Sequence, residues 1–181
     1  MKKGVLEILK KAIVTEIEGG KYFSYFASKV VDIKGKKMFE QLAIDEIEHL
    51  KVVEALYATF KDEDKWLSYE EALKSNKTYE IEGLPKKGIN IFPDEKELNE
   101  MIGSSPKDIN VVGAAIDIEE KAENIYLKIL EKVADIDAKI VIKKLADMEA
   151  GHKKLLEWEF DSLSNAGFWL DYQEFDVEGG I

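Results

Sequence analysis

Cysteine is absent from the 181-residue chain. That excludes disulfides, thiolate zinc sites and every Cys-bound iron centre. Any metal must be held by oxygen and nitrogen, a donor set that suits iron, manganese or zinc rather than copper(I). Arginine is absent as well: all 26 basic residues are Lys, set against 37 acidic ones, for a net charge of −11. An acidic surface repels nucleic acid and anionic lipid, and the missing guanidinium removes the usual fork for phosphate and guanine. Neither nucleic acid nor a membrane is expected as a partner. No apolar run approaches the roughly 18 residues needed to span a bilayer. Met1-Lys2-Lys3-Gly4 is followed by an amphipathic stretch, so no signal peptide is expected and a cytoplasmic location is the default. Glutamine occurs only at Gln41 and Gln173 in a chain rich in Glu and Lys, a bias shared with heat-tolerant proteins.

Histidine is nearly as scarce, and its placement is informative. The two histidines, His49 and His152, each follow a Glu by three residues, Glu46 and Glu149. A further Glu lies 30 residues before each of these, Glu16 and Glu119. The pattern therefore occurs twice, 103 residues apart.

Apolar residues at three- and four-residue steps predict four long helices. The first spans 3–31, with Leu6, Leu9, Ile13, Gly20, Phe23, Ala27 and Val30 on one face. The second spans 36–60, with Phe39, Leu42, Val53, Leu56 and Phe60. The third spans 107–134, with Val112, Ile116, Tyr126, Leu130 and Val133, and the fourth spans 137–163, with Ile142, Leu145, Leu156, Phe160 and Leu163. All six Glu and His residues of the pattern fall on these stripes, where an unpaired carboxylate is costly. Gly19-Gly20 weakens the first helix but permits close approach of a neighbour. Between the hairpins, residues 61–106 read as a long crossover with a short helix at Tyr69–Leu73, an extended stretch from Thr78 to Phe92, and a second short helix that Asp94 caps. The tail, 164–181, carries Phe168, Trp169, Tyr172 and Phe175, and is expected to pack on the bundle or on a partner subunit.

Shifting residues 12–54 by 103 aligns them without a gap to 115–157, with 14 of 43 positions identical. The domain, 1–163, is thus two related helical hairpins, 3–60 and 107–163. Each hairpin turns midway between its two Glu residues, near 31 and 134, which places Glu16 level with Glu46 and Glu119 level with Glu149. The i, i+3 spacing puts each His on the face of its Glu. Four carboxylates and two imidazoles then meet at one height. Their charge matches two divalent ions, and one Glu from each of two helices plus Glu-x-x-His from the other two is the ligand pattern of di-iron carboxylate bundles. The alternative is six ordinary surface residues, which leaves polar groups on apolar stripes unexplained. Asp45, Asp117 and Asp147 are weighed between orienting a His and simple solvation. Tyr22 and Tyr126 are weighed between bonding a ligand and core packing. Glu123 is weighed between an extra ligand and a pair with Lys121 or Lys128.

These residues resemble the rubrerythrin branch of the ferritin-like superfamily. The segments that carry the likeness are Glu16-Ile17-Glu18-Gly19 with Tyr22-Phe23, then Phe39 and Leu42 to Leu50. The second half repeats them as Ala115 to Glu119 with Ile125-Tyr126, then Leu145 to His152. The resemblance implies an all-α, ferritin-like antiparallel four-helix bundle holding two iron ions, with manganese or a mixed pair as variants. It implies that Glu46 and Glu149 bridge the ions, that Glu16 and Glu119 are terminal ligands, and that His49 and His152 serve one ion each. The activity it implies is reduction of hydrogen peroxide, or of dioxygen, with electrons from an external donor protein. A homo-oligomer, a dimer first, is the expected assembly. Ferroxidase with iron storage is the alternative function, and a non-catalytic metal-binding helical module is a second. The sequence departs from the rubrerythrin pattern in lacking the Cys-rich rubredoxin domain. It also has Ala122 where the family has a further Glu, with Glu123 one position off.

Overall fold

The computed structural model describes residues 2–75, 79–86, 88, 93–103 and 107–170. Four long helices form where the periodicity placed them: α1 (Lys2–Lys29), α2 (Ile33–Glu63), α5 (Asp108–Lys132) and α6 (Ile136–Asn165). Two short ones, α3 (Tyr69–Leu73) and α4 (Glu95–Ile102), lie in the crossover. The repeat extends to the helix starts. Asp32 caps α2 by accepting from Lys34 N, and its counterpart Asp135 caps α6 by accepting from Asp137 N and Ala138 N. Both short helices open with a full capping box, Ser68 with Glu71 and Asp94 with Glu97. Such boxes satisfy amide groups that a one- or two-turn helix has few other means to pair.

α1 packs along α2 and α5 along α6, giving the two hairpins. The Asp108 carboxylate at the start of α5 accepts from Val31 N at 3.0 Å, so α5 begins beside the α1–α2 turn. The crossover must therefore run the length of the bundle, and its contacts follow α1 in order. Gly88 N donates to Glu18 at 3.3 Å, the Tyr22 hydroxyl donates to Pro93 O, and the Tyr25 hydroxyl donates to Asn99 at 3.2 Å. At Gly88 a Cβ would stand 2.6 Å from Thr15 N, a closeness that only glycine permits. Tyr22 is thus taken up by the crossover and not by the ligand layer.

The core comes in two apolar clusters. One gathers Leu9, Ile13, Val53, Leu56, Tyr126, Ile129, Ile142 and Leu145. The other gathers Phe23, Phe26, Phe39, Leu42, Val112, Ile118, Leu155 and Leu156. The ligand layer lies between them in sequence on every long helix. The expected stripes hold with two corrections. On α5 the buried face is rotated by about one residue: Val111, Ala115, Ile118 and Ile129 are buried, while Ile116 and Leu130 are only partly so. On α6 the stripe ends on Glu159, 1% exposed, while Phe160 is 36% exposed. The seven-residue step that carries Glu149 and His152 inward carries Leu156 and Glu159 inward next, and turns Phe160 out.

The tail folds back as far as it is described. Trp169 is buried edge-on against Phe39, 6.4 Å between ring centroids, and donates from Nε1 to Asp108 at 2.9 Å. It lies flat against Gly35, where a Cβ would be 2.4 Å from the ring. Leu170 N donates to the buried Glu159 carboxylate at 3.0 Å. Burial pushes the Glu159 carboxyl up despite that bond. Phe168 remains exposed, and Tyr172 and Phe175 lie outside the described residues. Among the described residues, no helix is long and apolar enough to cross a membrane.

Candidate metal centre

The four long helices bring Glu16, Glu46, His49, Glu119, Glu149 and His152 into one buried layer, none more than 4% exposed. His49 Nδ1 lies 3.5 Å from Glu16, 3.9 Å from Glu46 and 3.5 Å from Glu149. His152 Nδ1 lies 3.2 Å from Glu119, 3.5 Å from Glu46 and 3.9 Å from Glu149. The two imidazoles stack with centroids 5.3 Å apart. Each Nδ1 thus faces three carboxylates, and two of the three are common to both histidines.

Two groups of four ligand atoms result, each with all its atoms within 4.8 Å of one another: Glu16, Glu46, His49 and Glu149, and then Glu46, Glu119, Glu149 and His152. Glu46 and Glu149 belong to both. The shared pair is what a dinuclear centre with bridging carboxylates requires.

The unmet valence of the layer fits a cation. Glu16 Oε2, Glu46 Oε1, Glu119 Oε1 and both Nδ1 atoms are buried without a hydrogen-bond partner. Buried polar atoms are seldom left so unless something else satisfies them. The charges agree. Burial, then repulsion from Glu149, raises the carboxyl groups of Glu16, Glu46 and Glu119 well above the ordinary range. For Glu149 burial pushes the same way, but the close approach of His49, at 3.5 Å, overcomes it and holds that carboxyl at about 2. Burial alone would depress His152; the Glu119 charge, helped by Asp45, keeps it well above its ordinary value. Without a cation the layer is therefore held together by protons, and divalent ions would take their place.

The surroundings of the layer are not symmetric. Tyr126, on α5, donates its buried hydroxyl to Glu16 on α1. Its counterpart in the repeat is Phe23, which has no hydroxyl to offer Glu119. Asp45 stands 3.6 Å from His152 Nε2 and accepts from Gln41 at 2.8 Å, so it favours the tautomer that presents Nδ1 to the carboxylates. Its counterpart is Met148. Asp117 is exposed, and Asp147 pairs with Lys143. Glu123 turns away to Lys153 at 3.3 Å, so neither expected lysine is its partner and it is not in the ligand layer.

Gly19 gives the close approach expected of Gly19-Gly20 a specific use. A Cβ there would stand 2.7 Å from Glu46 Oε2, so the missing side chain is the space the carboxylate occupies. Gly19→Ala is expected to displace Glu46 and weaken metal binding by about 10- to 100-fold, as lost support of a ligand does. The folded metal-free protein should hold or gain stability, because Ala favours a helix by up to about 1 kcal/mol over Gly. Metal titration followed by calorimetry checks both parts, and unchanged affinity would count against Glu46 as a ligand.

Comparison with known proteins agrees with this geometry. Residues 7–87 match the rubrerythrin family model. The match takes in the first hairpin and part of the crossover, and the second hairpin is tied to the first by the internal repeat. A hypothetical protein from Pyrococcus furiosus is similar in fold, with a TM-score of 0.62 and 24% identity over 91% of this chain and 93% of that one. No curated protein matches. Residues 7–87 thus resemble the rubrerythrin family, and the whole chain shares its helical fold with the Pyrococcus furiosus protein.

Proposed function

We propose that this protein is a dinuclear non-haem iron oxidoreductase that reduces hydrogen peroxide, or dioxygen, with electrons from an external donor protein. The observation that supports it is the sharing of Glu46 and Glu149 between two complete ligand groups. Glu16 and His49 would complete one ion's set, and Glu119 and His152 the other's. A pair of ferrous ions so bound supplies the two electrons that cleavage of one peroxide O–O bond takes up.

The chain's own residues do the rest. Four carboxylates set against two divalent ions leave no excess charge in a buried layer. The apolar clusters on either side bury the layer along the length of the bundle. Tyr126 fixes Glu16, and Asp45 fixes His152. The chain has no cysteine, so a rubredoxin-type relay must lie outside these 181 residues. The overall balance is H2O2 with two electrons and two protons to two waters.

Protein purified without air and loaded with ferrous iron is expected to carry two ions per chain and to consume peroxide far faster than free ferrous iron does. Turnover no faster than free iron would overturn the oxidoreductase reading. A shell of many subunits in solution would favour storage, and tightly held zinc without redox chemistry would favour a structural metal.

A further inference from the structure

The two hairpins are alike at the ligand layer and unlike on their outer faces. Between α1 and α2 lies a groove of about 760 Å³. Its walls include Ile44, Ile47 and Leu50, with Gly20 and Ala43 low between the helices and Glu16 among its lining residues. Ile44 and Ile47 are each 50% exposed. Glu16 itself is 2% exposed, and its Oε2 has no hydrogen-bond partner. The groove thus leads from solvent to a member of the ligand layer.

The repeat supplies the comparison. At the positions of Gly20, Ile44, Ile47 and Leu50 the second hairpin has Glu123, Asp147, Ala150 and Lys153. There Glu123 and Lys153 pair across α5 and α6 at 3.3 Å, where the first hairpin has Gly20 and Leu50. One face is bridged and polar; the other is open, its surface mostly apolar with Lys21, Ser24, Ser28, Lys36 and Glu40 also lining it. This also accounts for Glu123, which serves the outer face and not the ligand layer.

We propose that the α1–α2 groove binds an alkyl hydroperoxide, its peroxide end toward Glu16 and its hydrocarbon part along Ile44 and Ile47. The inference rests on the peroxide-reducing function proposed above. Hydrogen peroxide has two heavy atoms and no use for apolar walls, whereas a groove of this size and lining suits a small organic molecule. The step is ROOH with two electrons and two protons to ROH and water. The O–O bond breaks, the peroxide is reduced, and the external donor protein is oxidised.

The first test needs no metal. Metal-free protein with labelled isoleucine methyl groups is titrated with cumyl alcohol, the product of cumene hydroperoxide. Saturable shifts are expected at Ile44 and Ile47 and not at Ile140, an exposed residue on α6. Ile47→Lys should weaken the binding at least about tenfold, the scale of a disrupted apolar contact. In loaded protein, Ile47→Lys should lower the ratio of kcat/KM for cumene hydroperoxide to that for hydrogen peroxide by a similar factor, while Ile140→Lys leaves the ratio unchanged. Absent shifts, an unchanged ratio in Ile47→Lys, or a dimer that Ile47→Lys dissociates would overturn the proposal. Binding of the alcohol with no turnover of either peroxide would instead overturn the di-iron reading and leave the groove as a binding site.

Discussion

Glu46→Ala is expected to empty the whole centre and not half of it. Glu46 lies in both ligand groups, within reach of His49 Nδ1 at 3.9 Å and His152 Nδ1 at 3.5 Å. If two ions are held as proposed, its loss would take one ligand from each and remove negative charge that would offset their mutual repulsion. Bound metal should fall from two per chain to below one, with an affinity loss beyond the roughly 10- to 100-fold that disturbed outer partners cost. Glu16→Ala should behave differently. Glu16 belongs to one group only, so one ion should remain on Glu46, Glu119, Glu149 and His152. Elemental analysis after loading separates the two outcomes. Peroxide reduction should be lost in both, because one ferrous ion supplies one electron. A Glu46→Ala protein that still binds two ions would place the bridging role elsewhere.

The residues that set these expectations were legible in the sequence because they obey local spacing. An i, i+3 pair shares a helical face whatever the helix packs against, and the repeat fixed the heights of Glu16 and Glu119 without any knowledge of crossing angles. The four long helices were legible for the same reason. What the sequence leaves open is which of the weighed residues act and on which partner, because that depends on how helices approach one another. Tyr126 reaches Glu16 from a different hairpin, 110 residues away. Asp45 reaches His152 in the same manner. No spacing rule links such pairs, and the repeat misleads here, since their counterparts are Phe23 and Met148. The glycine pair reads as a weak point that lets a neighbour come close, but propensity does not name the neighbour, which at Gly19 is the Glu46 carboxylate. Glu159 does not stand out in the sequence because a charged residue ends an apolar stripe, although the seven-residue step runs through it. The bond from Leu170 N that keeps it buried comes from the tail.

The pH dependence of folding should change sign when metal is bound. In metal-free protein Glu16, Glu46 and Glu119 have carboxyl groups raised well above 4.5. A group raised on folding contributes its full stability below the unfolded pKa and loses it as pH climbs through the folded one. His152, raised well above 6.5, has the same sign at higher pH. Glu149, held at about 2, has the opposite sign, but its contribution is lost only as pH falls from 4.5 toward 2. Between pH 5 and 8 it is constant, and the other four set the slope. Each proton the folded layer holds in excess costs about 1.4 kcal/mol per pH unit, or about 3–6 °C in Tm. Metal-free protein should thus melt at progressively lower temperature from pH 5 to pH 8. Divalent ions bind the deprotonated layer and release those protons, so their affinity rises over the same range and adds stability to the folded state. With metal in excess the Tm should be level or rise from pH 5 to pH 8. Calorimetry on both forms at matched ionic strength reads the two slopes. A metal-free Tm that climbs over this range would mean that Glu16, Glu46 and Glu119 are ionised without metal, and the layer would then be held by something other than shared protons.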